Sequence, residues 1–408
     1  MPGPGLDVVG ADELAEVTEV ITSRHLGRYG PNDASFPAKV RTLEEKVAEM
    51  AGVRYALALN SGTSGLLVAF AALGIGPGDE VIVPGFTFVA SISAIVYSGA
   101  TPILAEIDAS FCLDPADVEA RITPRTKCIL VVHMLGNPGR LAELKQVADR
   151  HGIPLVEDCA QAFGATYQGR WVGSHGAMGM YSFNEYKTIT SGDGGMVVTD
   201  DEDLYRRAFA MHDQGHSPDR KGIEVGARPF LGLNFRMTEL EGAVLVAQVR
   251  KVGMIREHLR ANAAIVQSII EEVPEIEFRE LPDPEGNLAT HLVVMFPDAT
   301  TAAAVTAELG SITLDRSGWH VYTHMEHLLQ RRTATGRGYP FDEPGHTPPE
   351  YWAGMLPATD SLLARSMSFS IGVQDPNLAP YGVRMRDDAS VATERAMRFR
   401  EVALRNLR

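Results

Sequence analysis

"EVIVPGFTFVASISAIVYSGATPILAEID", residues 80–108, reads as a strand, a helix and a second strand. "EVIVPG" (80–85) is a short apolar run closed by Pro84 and Gly85. "TFVASISAIVYSGA" (87–100) carries apolar residues at helical spacing, and "TPILAEID" (101–108) is apolar again. Two strands joined by a helix of this length predict a parallel pair with a crossover. The alternation continues on both sides. "RTLEEKVAEMAG" (41–52) has helical period, "YALALNSG" (55–62) is a strand ending in a turn, and "TSGLLVAFAALG" (63–74) starts a helix. "KCILVVHM" (127–134), "GRLAELKQVADRHG" (139–152) and "PLVEDC" (154–159) repeat strand, helix, strand. Strands that are apolar at nearly every position predict a largely parallel sheet covered on both faces. Ligands of such α/β sheets sit beyond the carboxyl ends of the strands.

After a loop-like stretch at 213–234, a long helical pattern runs from "MTELEGAVLVAQVRKV" (237–252) to about residue 272. Strand candidates "IEFREL" (276–281) and "HLVVMFP" (291–297) follow, then helices at 300–310 and near 389–407. The expected organisation is a large domain over 1–255, with an N-terminal helix, and a smaller C-terminal α+β domain over 256–408.

The chain has 408 residues, 45% hydrophobic and 22% charged, which are ordinary globular values. A formal charge of −15 argues against a nucleic-acid-binding or anionic-membrane surface, both of which need a positive field. A local phosphate site needs only a few donors and remains open. Cys112, Cys128 and Cys159 show neither a disulfide framework nor zinc-ligand spacing. The first residues lack a secretory signal pattern, and no apolar run reaches the roughly 18 residues of a membrane span. The expectation is a cytoplasmic protein without metal, nucleic acid or membrane.

Four polar clusters fall at strand ends. "NSGTS" (60–64) puts Gly62 and Thr63 at a strand-to-helix turn, where free N–H groups and the helix dipole suit a phosphate. Capping of the helix by Ser61 or Thr63 is the competing reading. "VEDCAQA" (156–162) leaves Glu157 and Asp158 at the end of an apolar strand, as helix caps or as partners of a protonated ring nitrogen, with Gln161 nearby. "PGFTFVAS" (84–91) places Phe88 at a helix start, as core or as a stacking platform. "YSFNEYKTITSGDGGMVVTD" (181–200) ends a strand with Ser182, five residues before Lys187. Lys187 stands among small residues, and Gly192, Gly194 and Gly195 permit a tight turn. A phosphate cup, an aromatic ring, a carboxylate and a lysine along one sheet edge are the parts that hold pyridoxal phosphate.

Those segments, with "GDEVIVPGFTFVAS" and "GLNFRMTELEGA", resemble the DegT/StrS family of fold-type I aminotransferases, most of which aminate sugars. The stretches "ITPRTK" (122–127), "FRELPDPEG" (278–286) and "GWH" (318–320) are similar to the octulosonate-aminating members. The resemblance implies an aspartate-aminotransferase-like α/β fold with a mainly parallel seven-stranded sheet. It implies that Lys187 forms the internal aldimine with pyridoxal 5'-phosphate and that Asp158 pairs with the pyridine nitrogen. It implies further that Gln161 contacts the ring hydroxyl, Phe88 stacks on the ring, and Gly62, Thr63 and Ser182 bind the phosphate. Asn234, in "GLNFRMT", would reach the phosphate of a neighbouring subunit, so the active site would be shared within a homodimer. The implied reaction moves an amino group from an amino acid donor, glutamate or glutamine, to a keto-sugar, keto-cyclitol or related carbonyl acceptor through the pyridoxamine form. Members that replace the lysine by histidine are dehydratases, and this chain keeps Lys187. The alternatives are a dehydratase, an aromatising synthase and a cofactor-binding regulator without turnover.

The acceptor is read from a different segment. "DRSGWHVYTHMEHLLQRRTATGRGYPFDEPGHTPPEYW" (315–352) carries His320, His324, His327 and His346 without a metal-ligand motif. Trp319 and His320 are expected to line the acceptor pocket, and His133, in "VVHMLGN", to do the same from another strand end.

Overall fold

The computed structural model describes residues 3–31, 33–219, 228–336, 338–342 and 349–407. Helices α1 (Pro4–Asp7), α2 (Ala11–Ser23) and α3 (Lys39–Ala51) precede the sheet. The strand-helix alternation then appears as β1 (Tyr55–Leu59), α4 (Gly62–Leu73), β2 (Glu80–Pro84), α5 (Val89–Ser98), β3 (Thr101–Ala105), α6 (Pro115–Arg121), β4 (Thr126–Val132), α7 (Leu141–His151) and β5 (Leu155–Asp158). A two-stranded hairpin, β6 (Thr166–Tyr167) and β7 (Arg170–Trp171), leads to β8 (Met178–Ser182), β9 (Gly195–Thr199) and α8 (Glu202–His212). The large sheet has seven strands in the order β1-β9-β8-β5-β4-β2-β3. Only β9 runs against its neighbours β1 and β8. The reversal returns the chain from the Lys187 loop across the sheet, so Ser61, Asp158 and Ser182 all stand at one edge.

Alternate residues of each strand feed different cores. Val81, Val83, Leu130 and Val156 pack on one face of the sheet, and Ile82, Ile129, Val131 and Leu155 on the other. All are buried, and each fully buried residue of this kind contributes roughly 1.5–3 kcal/mol. This two-sided burial explains why the strands show no polar alternation.

The long helical pattern is two helices, α9 (Glu239–Val249) and α10 (Val252–Ile270), separated at Arg250 and Lys251. Lys251 turns to Glu13, with Nζ 2.6 Å from its Oε1, and to the carbonyl of Val8 at 2.8 Å. These bonds hold the junction against α2. No proline marks the break, which is why the sequence reads as continuous.

The C-terminal region builds a four-stranded sheet, β10 (Glu277–Phe278), β11 (His291–Met295), β12 (Ser366–Gly372) and β13 (Gly382–Arg384). It is flanked by α11 (Ala299–Leu309), the short α12 (Glu326–Leu329), α13 (Pro357–Ala364) and α14 (Ala389–Asn406). The central strand β12 was not anticipated, although "SMSFSIG" alternates serine with Met367, Phe369 and Ile371. No helix among the described residues is long and apolar enough to cross a membrane.

Candidate active site

One cavity of about 470 Å³ opens at the carboxyl edge of the large sheet, closed from the other side by residues of the smaller sheet. Lys187, Asp158, Gly62, Thr63, Phe88, Gln161, Ser182, Trp319 and His320 all line it. The sequence-predicted cofactor residues of the strand ends therefore meet.

The end of the cavity predicted from sequence to take a phosphate is the start of α4. Ser61 is the N-cap, and its Oγ accepts the Ser64 N–H at 3.1 Å. The capping reading of Ser61 is thus correct. The first backbone bond of the helix is from the Gly65 N–H to the Ser61 carbonyl at 3.2 Å, so the Gly62 and Thr63 amides precede it and carry the positive end of the dipole. A Cβ on Gly62 would lie 2.8 Å from the Ser182 Cβ and 3.1 Å from its Oγ. The glycine lets the helix start approach the end of β8, which forms the cup. Gly62→Ala is expected to push these two walls apart and weaken cofactor retention at least about tenfold, the effect of a modest overpacking cost. Cofactor remaining after dialysis, measured by absorbance, checks this; full retention would remove Gly62 from the cup.

Asp158 ends β5 and is 4% exposed. Its Oδ2 accepts from Ser91 Oγ at 2.8 Å, and its Oδ1 from the Ala160 N–H at 3.0 Å. Ser91 Oγ is itself 2.8 Å from Thr87 Oγ1, so α5 fixes the carboxylate from the side. Burial pushes its pKa up, opposed by these bonds and by the charge of Lys187. Such a carboxylate gains from a cationic partner.

Its neighbour Glu157 points to the other face and is fully buried. It accepts the Gly173, His175 and Gly176 N–H groups, each at 2.7 Å, and lies 3.1 Å from His133 Nε2. Burial works to raise its pKa, but His133 and the Gly173 amide outweigh that and hold it low. Because the Gly139 N–H donates to His133 Nδ1 at 3.2 Å, the ring proton sits on Nε2 and faces Glu157. His133 is therefore a brace inside the fold and does not line the cavity.

The Lys187 loop is held by local bonds. The Lys187 N–H reaches the Asn184 carbonyl at 2.9 Å, and Thr190 Oγ1 reaches the Phe183 carbonyl at 2.9 Å. Gly192 and Gly194, with φ of 91° and 141°, turn the chain into β9 in conformations that side chains resist. Burial lowers the Lys187 pKa, while Asp158 and Asp375 partly offset it.

Phe88 is the N-cap residue of α5, and its ring centre lies 5.3 Å from that of His320 and 6.5 Å from that of Trp319. The Thr87 N–H binds the His320 carbonyl at 3.0 Å, tying this loop to the stacking wall. Gln161 Oε1 accepts the Leu135 N–H at 2.8 Å. His324 and His327 are exposed and away from the cavity, and His346 lies outside the described residues. Asn234 is exposed and is not part of the lining of its own chain. Sequence reading missed Ser91, Thr290, His291, Asp375 and Asn377, which all line the cavity.

The match to known proteins agrees with this geometry. Residues 8–332 match the model of the DegT/DnrJ/EryC1/StrS aminotransferase family. The chain belongs to this family. It is a pyridoxal-phosphate-dependent aminotransferase of fold type I. It is 39% identical to the GDP-perosamine synthase of Caulobacter vibrioides over 64% of this chain and 67% of that one. It is 38% identical to the L-glutamine:2-deoxy-scyllo-inosose aminotransferase of Streptomyces kanamyceticus over 73% of each chain. Among solved structures, DesV of S. venezuelae in complex with a ketimine intermediate superposes with a TM-score of 0.74 and 30% identity, covering 96% of this aminotransferase and 94% of DesV. The buried carboxylate, the half-buried lysine and the close helix start fit the cofactor that this family uses.

Proposed function

We propose that this aminotransferase moves an amino group from L-glutamine or L-glutamate to a keto-sugar, keto-cyclitol or related carbonyl acceptor, with Lys187 and Asp158 as its catalytic residues. The carrying observation is that Lys187 and Asp158 line one cavity below the start of α4. Bound pyridoxal phosphate would supply an aldehyde that exchanges amines and a cationic ring that takes up the electron pair of the donor carbon. Lys187, its pKa lowered by burial, would be placed to take a proton from the donor carbon and return it. Asp158 would hold the ring-nitrogen proton. The Gly62 and Thr63 amides and Ser182 would hold the phosphate, with Phe88 as the stacking residue and Gln161 as the partner of the ring hydroxyl. We take the chain as two units, 1–255 and 256–408, with the cavity between them. Formation of 2-oxoglutarate from glutamate together with an aminated product tests the reading; release of a deoxygenated ketone without net amine transfer would favour a dehydratase.

The same reading makes the enzyme a homodimer with a shared site. Asn234 is exposed beside Leu231, 97% exposed, and Leu233, 53% exposed, which supports a covered surface there in the assembly. Lys187→Ala and Asn234→Asp chains, co-expressed with different tags, are expected to form heterodimers in which one of two sites has both intact residues. Their activity should exceed that of either parent homodimer by at least about tenfold, the ratio that about 1.4 kcal/mol corresponds to. Activity no higher than the parents, or an active monomer in sedimentation, would place the whole site within one chain. The three cysteines are free and buried, which supports a reducing compartment such as the cytoplasm.

A further inference from the structure

We propose that Arg279 is a positioning residue for the cofactor: from inside the fold it holds the Met134–Gly136 turn in the conformation that aims the Gln161 amide at the ring hydroxyl. This rests on the reading above, in which Gln161 is the partner of that hydroxyl. Arg279 itself is not part of the cavity wall.

Arg279 follows β10 and is 5% exposed, and its backbone N–H reaches the Val293 carbonyl at 3.1 Å. Its side chain crosses from the small sheet to the large domain. Nη1 donates to the Met134 carbonyl at 3.1 Å, and Nη2 to the carbonyls of Leu135 at 2.8 Å and His291 at 3.2 Å. No carboxylate pairs with it among the described residues. Burial lowers its pKa to about 10, so it is still a cation at neutral pH. A buried cation whose donors go to three carbonyls is a costly way to join two domains, and an apolar side chain would serve packing alone.

What the fork holds is specific. Leu135 is fully buried with φ 56° and ψ 35°, a left-handed conformation that a leucine keeps only where its surroundings impose it. Two consecutive peptide planes meet at this residue, and the guanidinium binds the carbonyl of each. The Met134 carbonyl and the Leu135 N–H are the two ends of the first plane, so fixing one fixes the other. That N–H donates to Gln161 Oε1 at 2.8 Å. An N–H only donates, so the Gln161 atom facing it is the oxygen, and the NH2 group is turned the other way. The NH2 group has no partner among the described residues, and Gln161 lines the cavity. The turn is also pressed onto the small sheet. The Leu288 N–H binds the Gly136 carbonyl at 3.0 Å, and a Cβ on Gly136 would lie 2.5 Å from Thr290 Oγ1. Without the fork, the buried Leu135 carbonyl loses its partner, and the strained turn gains by rotating the peptide plane that orients Gln161.

The test is spectroscopic and uses the purified holoenzyme. A donor on the ionised ring oxygen stabilises that oxygen and makes the adjacent imine nitrogen less basic, so a misdirected Gln161 raises the pH at which the visible band of the lysine-linked cofactor titrates. The midpoint is measured in the unaltered enzyme, in Arg279→Met, in Gln161→Leu and in the double variant. Each single change is expected to raise it by at least about half a unit, roughly threefold in the protonation equilibrium. The double variant should rise no further than the larger single change, because Arg279 acts through Gln161. An unmoved midpoint in Arg279→Met, or two shifts that add, overturns the inference. A general loosening of the fold would move the midpoint in both backgrounds, so the missing additivity separates positioning from stability. An unmoved midpoint in Gln161→Leu overturns the reading of Gln161 and the inference with it, and an unaltered enzyme without the band overturns the cofactor reading itself. Should Arg279→Met not fold, Arg279→Lys carries the same comparison, since an ammonium is a point donor and lacks the planar fork that spans two carbonyls. Its midpoint should rise in the unaltered background and not in Gln161→Leu; no rise, or equal rises in both, overturns the inference.

Discussion

Lys187→Ala is expected to show no steady-state amine transfer and to lack the visible absorbance band of a lysine-linked cofactor. The cavity wall offers no second lysine among its described residues, so nothing else on it can form the covalent link, and the base positioned beside the donor carbon is lost with it. Loss of both the covalent link and the positioned base removes effects each worth several powers of ten. Phosphate and ring contacts remain, so the variant should still bind the cofactor noncovalently. Turnover above background in Lys187→Ala would undo the central assignment.

Asp158→Asn is expected to keep the cofactor but slow proton transfer by at least about a hundredfold, since loss of such charge stabilisation costs about 3 kcal/mol or more. Single-turnover conversion of the pyridoxal form by L-glutamine measures it. The cofactor-free protein should respond in the opposite sense. Burial raises the folded-state pKa of Asp158, so the folded chain binds that proton more tightly than the unfolded one. Its stability contribution is then best below the unfolded pKa and falls as pH rises through the folded pKa. Above the unfolded pKa the desolvated Asp158 works against the empty fold, and Asp158→Asn should raise the thermal midpoint of the apoenzyme at neutral pH. A lowered midpoint would mean that the bonds from Ser91 and Ala160 outweigh the desolvation.

The large sheet was readable because its strands declare themselves. Apolar runs such as Val81–Val83 and Leu155–Val156 end in Pro-Gly or in acidic residues, and the candidate cofactor residues lie at or just beyond such ends. Lys187, Asp158, Gly62, Phe88, Gln161 and Ser182 were accessible for that reason. His133 went wrong through strand parity. Val132 pairs with Asp158 and Val131 with Glu157, so His133, one residue further on, falls to the side of Glu157. Sequence shows that a residue is at a strand end but not which face it takes. The acceptor wall was not readable at all. Ser91 lies in the first turn of α5, His291 opens β11, and Asp375 follows β12, so only tertiary packing brings them to the cavity. Three serines in β12 hid its strand character, yet Ser366, Ser368 and Ser370 are all fully buried.

The protein has three tryptophans, and their settings differ. Trp171 packs edge-on against Phe163 with ring centres 5.2 Å apart, and Trp352 is 54% exposed away from the cavity wall. Trp319 is 65% exposed but belongs to that wall, one ring away from Phe88. A bound cofactor absorbs where indole emits, so Trp319 is placed to lose emission by energy transfer as the site fills. The enzyme thus contains its own optical gauge, and in a Trp171→Phe, Trp352→Phe background the remaining emission would follow cofactor loading and acceptor entry in real time, without any added label.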